Sequence, residues 1–133
     1  EVTINPKETT NVIEKWEKNH VNLNGLRQLV KDNKDKIKKY IKISLVSLPA
    51  DLEKIKSYLD HEDWSLLSQT AHKMKSNASY MGMDVVLNIL NRVEKLDIQN
   101  CSYEEIAPLI NNLDEESLLA LDELEEIIKI LES

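Results

Sequence analysis

Apolar residues recur every three or four positions through most of the chain, which is the period of a helix that buries one face. Comparable stripes run through residues 37–48, 52–59, 86–96 and 109–131. The clearest stripe alternates spacings of four and three at Leu67, Ala71, Met74, Ala78 and Met81. No strand-like alternation of apolar and polar residues extends beyond a few positions. The pattern therefore predicts an all-α protein.

Glycine and proline are scarce, and they divide the helical stripes from one another. Pro49 predicts the end of one helix, because the residue before a proline resists the helical conformation, and it suits the first turn of the next. Asp63 and Gly82 predict the N-cap and the end of the helix between them. Pro108 is expected near the first turn of the last helix, or at a kink in it.

These elements predict an up-and-down bundle of four principal helices with one or two short N-terminal helices. We divide the chain into a polar tail with a short helix at about residues 10–19, covering residues 1–22, and the bundle, covering residues 23–133. The length of 133 residues fits this single bundle domain.

Charge and cysteine content narrow the classes of function. The net charge is −7, with 17 basic and 24 acidic residues, which argues against a nucleic-acid-binding protein. Ten acids and one base fall in residues 104–133, which we interpret as a solvated helix face. No apolar run approaches the ~20 residues of a membrane span. Cys101 is the single cysteine, so an internal disulfide is excluded and a reducing, cytoplasmic location is expected.

One helix carries the strongest candidate chemistry on its polar face. At about 100° per residue, its core seam leaves five side chains outside the core: Ser68, His72, Lys75, Ser76 and Ser79. Neutral imidazole is a good nucleophile near neutral pH, and Lys75 can offset the charge of an anion beside the His72 ring. The serines leave room for a second protein. This arrangement favours a phosphoryl carrier, and the alternative is a surface histidine without a role.

Other reactive residues form weaker patterns. His61, Glu62 and Asp63 are adjacent, so their side chains diverge, and no second cluster completes a metal site. Cys101 lacks a base nearby in the sequence. No glycine-rich loop is present to hold a nucleotide phosphate, so we expect neither a metal nor ATP to bind.

The sequence AHKMKS at residues 71–76 resembles the signature of histidine-containing phosphotransfer (HPt) domains, roughly Ala-His-x-Leu-Lys-Gly. The resemblance continues through YMGM at residues 80–83 and covers about residues 23–131. It implies that His72 is phosphorylated and that Lys75 supports the phosphate. Ser76 replaces the usual glycine, so a partner backbone is expected to approach less closely.

Glu94 lies twenty-two residues after His72, where members of the HPt family place a Glu or Gln that bonds the other imidazole nitrogen. Antiparallel helices joined at Gly82 would place these two positions side by side. A carboxylate there fixes the tautomer so that Nε2 faces solvent. The alternative is an ordinary surface glutamate.

The resemblance implies a phosphorelay in which His72 takes a phosphoryl group from the aspartate of one receiver domain and passes it to another. The receivers of response regulators are thus the expected partners upstream and downstream, and Mg²⁺ is expected on the receiver. The chain would need no cofactor and have no autonomous kinase activity. Whether it acts alone or as part of a membrane-bound hybrid sensor kinase stays open. The alternative function is a helical interaction or dimerisation module.

Ile43 lies off the inward stripe of its helix, and Val46 lies at the flank of that stripe. We expect them to form an apolar patch that a receiver covers, beside a ring of serines around His72: Ser68, Ser76 and Ser79. The alternative is that Ile43 and Val46 pack under the N-terminal segment near Trp16.

Overall fold

The computed structural model describes residues 16–96 and 99–133, which form five helices and no β-strand. Their bounds are α1 Asn24–Leu29, α2 Lys34–Asp60, α3 Trp64–Tyr80, α4 Asp84–Glu94 and α5 Tyr103–Glu132. The predicted all-α, four-helix bundle is confirmed, with one short N-terminal helix among the described residues. None of these helices combines the length and the hydropathy that a membrane crossing needs.

The four long helices form a ring. Helix α2 packs against α3 and α5, and α4 packs against the same two helices, so α3 and α5 lie on a diagonal. The predicted seam of α3 is buried in the centre, together with the aliphatic faces of the other helices. Asn33 and Asp63 cap α2 and α3, since each side chain accepts a backbone N–H at 3.1 Å from the first turn.

Helix α2 runs unbroken through Pro49, so the prediction that a helix ends there is wrong. A proline inside a helix removes one hydrogen bond and crowds the preceding turn, at a cost of about 3 kcal/mol. Leu48, Leu52 and Ile55 are buried on the face that continues across this point. Their burial, at about 1.5–3 kcal/mol for each side chain, outweighs that cost. Pro108 likewise lies inside α5, beyond its first turn.

The segment before α1 crosses one end of the bundle. Trp16, Val21 and Leu23 are buried there. The carboxylate of Glu123 on α5 accepts the backbone N–H of His20 at 2.7 Å and that of Val21 at 3.1 Å. Its other oxygen lies 2.6 Å from Nδ1 of His20. The part of the predicted tail that the structure describes therefore packs on the bundle, while the predicted division at residue 22 stays a prediction.

The helix predicted at residues 10–19 falls largely on residues 1–15, which lie outside the described residues. Residues 17–23 are not helical, and Glu17 forms an isolated β-bridge with Asn22. The Asn22 backbone N–H donates to the carbonyl of Met81 at 3.1 Å, which places this segment on the turn between α3 and α4.

Gly82 occupies that turn with a φ of +61°. A Cβ added there would lie 2.0 Å from the carbonyl oxygen of Asn22. Only glycine therefore allows the N-terminal segment to lie this close to the turn that sets α4 antiparallel to α3.

Charge is divided unequally between the two helices on the diagonal. Helix α3 contains two lysines, Lys73 and Lys75, and no acidic residue. Helix α5 contains ten acidic residues and one lysine, Lys129. The acidic helix α5 thus lies across the diagonal from a helix that contains no acidic residue.

Candidate functional site

His72 lies in the middle of α3, and its side chain is 76% exposed. The neighbouring Ala71 and Met74 are fully buried, and they fix the rotation of α3 about its axis. The imidazole therefore projects from a helix that the core holds in place, as the sequence pattern indicates.

Glu94 bridges His72 and Lys75. Its Oε1 lies 2.5 Å from Nδ1 of His72, and its Oε2 accepts from Nζ of Lys75 at 2.8 Å. Glu94 is the last residue of α4, and the turn at Gly82 brings it back beside the middle of α3. The contact that the spacing of twenty-two residues predicts is thus present in the structure.

These bonds set the charge of the carboxyl group. The hydrogen bond from Lys75, and then the one from His72, hold the pKa of Glu94 below its ordinary value of 4.5, although partial burial acts in the opposite direction. An ionised carboxylate only accepts hydrogen bonds, so Nδ1 of the His72 ring must donate. In the neutral ring the lone pair is then on Nε2.

A cavity of about 510 Å³ opens between α3 and α4 beside the histidine. Its lining consists of His72, Lys75, Ser76, Ser79, Tyr80, Leu87 and Asn91. The structure thus brings three of the predicted site residues to one wall with His72, namely Lys75, Ser76 and Ser79. Ser68 is partly buried one turn before His72 and does not line this cavity.

The predicted patch on α2 is exposed. Ile43 is 44% exposed and Val46 is 74% exposed, so neither is covered by the segment near Trp16. The rings of Tyr40 and Tyr80 lie 5.3 Å apart and join α2 to the cavity wall. Because Ile43 follows Tyr40 by three positions, both lie on the same side of α2.

Three residues of the cavity lining are not among the site residues predicted from the sequence, namely Tyr80, Leu87 and Asn91. A signal for two of them was present, because Asn91 and Leu87 precede Glu94 by three and seven positions and so share its helix face. Tyr80 lies within the motif, but nothing in the sequence indicates that its ring reaches toward α2.

The other two histidines, His20 and His61, contact neighbouring groups away from His72. His61 Nδ1 lies 2.8 Å from the carbonyl oxygen of Ser57, one turn earlier in α2. His20 contacts Glu123, and its Nε2 lies 3.8 Å from Glu116. Within residues 16–96 and 99–133, no three His, Cys, Asp or Glu side chains come together as a metal site would need.

Comparison with known protein families shows which family the chain belongs to. Residues 39–129, more than half of the sequence, match the model of the Hpt domain. Searches of curated proteins and of solved structures return no match. Hpt domains are helical phosphocarriers of two-component signalling, and they interact with the receiver domains of response regulators. The matched range contains His72, Lys75 and Glu94, and the predicted resemblance is confirmed. The chain therefore belongs to the Hpt domain family.

Proposed function

We propose that Nε2 of His72 accepts a phosphoryl group from the aspartyl phosphate of one receiver domain and passes it to the aspartate of another. The contact between Nδ1 and Glu94 carries this proposal, because it leaves Nε2 as an unprotonated nucleophile that faces solvent. Membership of the Hpt family by itself supports a phosphotransfer role in two-component signalling, without naming the donor or the acceptor.

The transfer needs no proton to enter or leave the site. Nε2 attacks phosphorus in line, the N–P bond forms, and the P–O bond to aspartate breaks, so that aspartate leaves as a carboxylate. The proton on Nδ1 stays in its bond to Glu94, which balances the positive charge of the phosphorylated ring. In the second step, another receiver's carboxylate attacks phosphorus and the ring leaves with the N–P electron pair. Mg²⁺ bound to the receiver would offset charge on the phosphate oxygens.

Lys75 supports the phosphorylated state. It lies three residues after His72, so its ammonium group can swing from Glu94 toward a phosphate on Nε2. The added negative charge then gains a partner at little conformational cost, because only one flexible side chain has to move.

The receiver covers an area around His72 that includes Ser68, Ser76 and Ser79, with Ile43 and Val46 of α2 at its edge. Exposed apolar side chains beside small polar ones suit a complex that forms and releases in each cycle. Replacing Ile43 with Asp should slow transfer without a loss of helicity. An unmodified rate would remove α2 from the docking area.

Phosphate labelling tests the function itself. The chain is mixed with a phosphorylated receiver domain, and acid-labile, base-stable phosphate is measured on it. His72→Gln should abolish this label. The matched variants His61→Gln, at an exposed position, and His20→Gln should retain it. Labelling that survives His72→Gln would refute the assignment. No label on the unmodified chain would favour the alternative of a non-catalytic interaction module.

A further inference from the structure

The cavity between α3 and α4 has two chemically different ends. His72, Lys75 and Ser76 form the polar end, while Tyr80 and Leu87 supply apolar surface at the other. Asn91 lies on the α4 wall and offers an amide group. None of the α4 residues of this lining belongs to the docking area described so far.

We propose that this cavity receives an apolar side chain of the receiver domain, and that Leu87 and Asn91 of α4 select which receivers transfer phosphate efficiently. The inference rests on the proposed function and adds α4 to the surface that a partner covers.

The position of the reactive ring supports this occupant. His72 itself lines the cavity, so a donor that brings its phosphorus within bonding distance of Nε2 must also cover the cavity mouth. A cavity of about 510 Å³ left empty under the partner would forfeit contacts there. A side chain from the partner that fills it gains them.

The position of the apolar end of the cavity also sets the distance between the inserted side chain and the phosphorylated aspartate. Tyr80 follows His72 by eight residues of α3, a rise of about 12 Å along the helix axis. We therefore expect the inserted side chain to stand about 12 Å from the phosphorylated aspartate on the receiver surface. The contact between the Tyr80 and Tyr40 rings holds one wall of this end in place.

Charge favours the same partner. The phosphorylated aspartate of a receiver is an anionic centre, and the α3 wall offers Lys75 and no acidic residue. Glu94 is the nearby acid, and its charge is already shared between Lys75 and His72. An apolar contact about two helical turns away can then discriminate between receivers whose phosphorylation sites are alike.

The experiment compares two phosphodonors. Unmodified chain, Leu87→Glu and Asn91→Arg are each mixed with phosphoramidate, which needs no docking surface, and with a purified, phosphorylated receiver domain. Leu118→Glu on α5 is the matched control, because Leu118 is 52% exposed and lies on the opposite helix of the diagonal. Circular dichroism confirms that each variant folds.

For Leu87→Glu and Asn91→Arg, kcat/KM with the receiver should fall about tenfold relative to labelling by phosphoramidate, mainly through a higher KM. Leu118→Glu should match the unmodified chain with both donors. If folded Leu87→Glu or Asn91→Arg transfers at the unmodified kcat/KM, the cavity is not part of the docking surface. If neither donor labels His72 of the unmodified chain, the proposed function fails first, and this inference fails with it.

Discussion

The carboxylate of Glu94 forms hydrogen bonds with two side chains at the site. Glu94 accepts from the His72 ring with one oxygen and from the Lys75 ammonium with the other. In the transfer that we propose, Lys75 would leave Glu94 to reach the phosphate, whereas the bond between Glu94 and His72 would persist. The resting site is therefore held by an ion pair that phosphorylation is expected to break.

Replacing Lys75 with Ala should slow phosphotransfer about tenfold in both directions, because the phosphate on Nε2 loses its neighbouring cation. The free energy of unfolding should change by less than about 1 kcal/mol, since the side chain is partly exposed. Rapid-quench kinetics measure the transfer. Lys129→Ala on α5 is the control for charge alone, and equal rates in the two variants would contradict the role of Lys75.

Glu94→Gln should reduce stability in a pH-dependent way. The pKa of Glu94 is lowered in the folded state, so its contribution is present above the ordinary value and is lost as pH falls through the lowered one. The unmodified chain should be about 1 kcal/mol more stable than the variant at pH 7. Urea unfolding should show that this difference shrinks as the pH falls below the ordinary pKa of 4.5.

The matched change for this measurement is Glu125→Gln, at an exposed position of α5. It should alter stability by no more than about 0.5 kcal/mol. A difference between Glu94→Gln and the unmodified chain that stays constant with pH would contradict the charge that we assign to Glu94.

At the residue scale the sequence predicts much of the site, because a helix face follows from spacing alone. The exposure of His72 and the burial of Met74 are consequences of one angular period. The partner of Lys75 was not foreseen. Spacing showed that Lys75 is near His72, but only the packing of α4 against α3 shows which carboxylate it meets.

At the scale of elements, the turn between α3 and α4 fixes the distance between His72 and Glu94. Gly82→Ala should destabilise the protein by about 2 kcal/mol or more, because its Cβ would strike the Asn22 backbone at an unfavourable φ. Gly25→Ala in α1 is the matched control. A Cβ there meets nothing within 4 Å, so a neutral or stabilising change of about 0.5 kcal/mol is expected.

Thermal unfolding measures both glycine variants. Equal melting temperatures for Gly82→Ala and Gly25→Ala would show that the N-terminal segment does not depend on the close approach at Gly82.

Helix boundaries were predictable where side chains or glycine define them, and not where a proline does. Asp63 caps α3 as expected, because its side chain acts on its own helix. Pro49 disfavours the helical conformation only locally. The burial of residues on both sides of it outweighs that effect, so the helix continues. Sequence spacing does not reveal that balance, since the core exists only after the four helices have packed.

At the scale of the whole molecule, the ten acidic residues of α5 and the two lysines of α3 lie on helices across the diagonal of the bundle. The net charge of −7 alone predicts that an anionic partner is repelled. The position of the charges predicts that the partner is repelled mainly from the α5 side and meets no acidic residue of α3. The sequence contains these charges, but which helices lie opposite each other follows from the fold.

Two substitutions distinguish the effect of where a charge lies from the effect of the net charge. Lys73→Gln on α3 and Lys129→Gln on α5 each make the net charge more negative by one. At low salt, Lys73→Gln should slow association with a phosphorylated receiver two- to threefold, by roughly the effect of one charge near the surface, while Lys129→Gln should change it less. Stopped-flow measurements at about 0.02 M and about 0.5 M salt test this, because screening should remove the difference. Equal rates at low salt would show that net charge dominates.

The separation of charge between the two helices also has a kinetic consequence. A relay domain must release each partner after transfer, so it cannot gain speed by binding more tightly. An oriented approach raises the fraction of collisions that are productive without adding contact area to the complex. Rapid arrival and rapid departure are thereby compatible in one small domain.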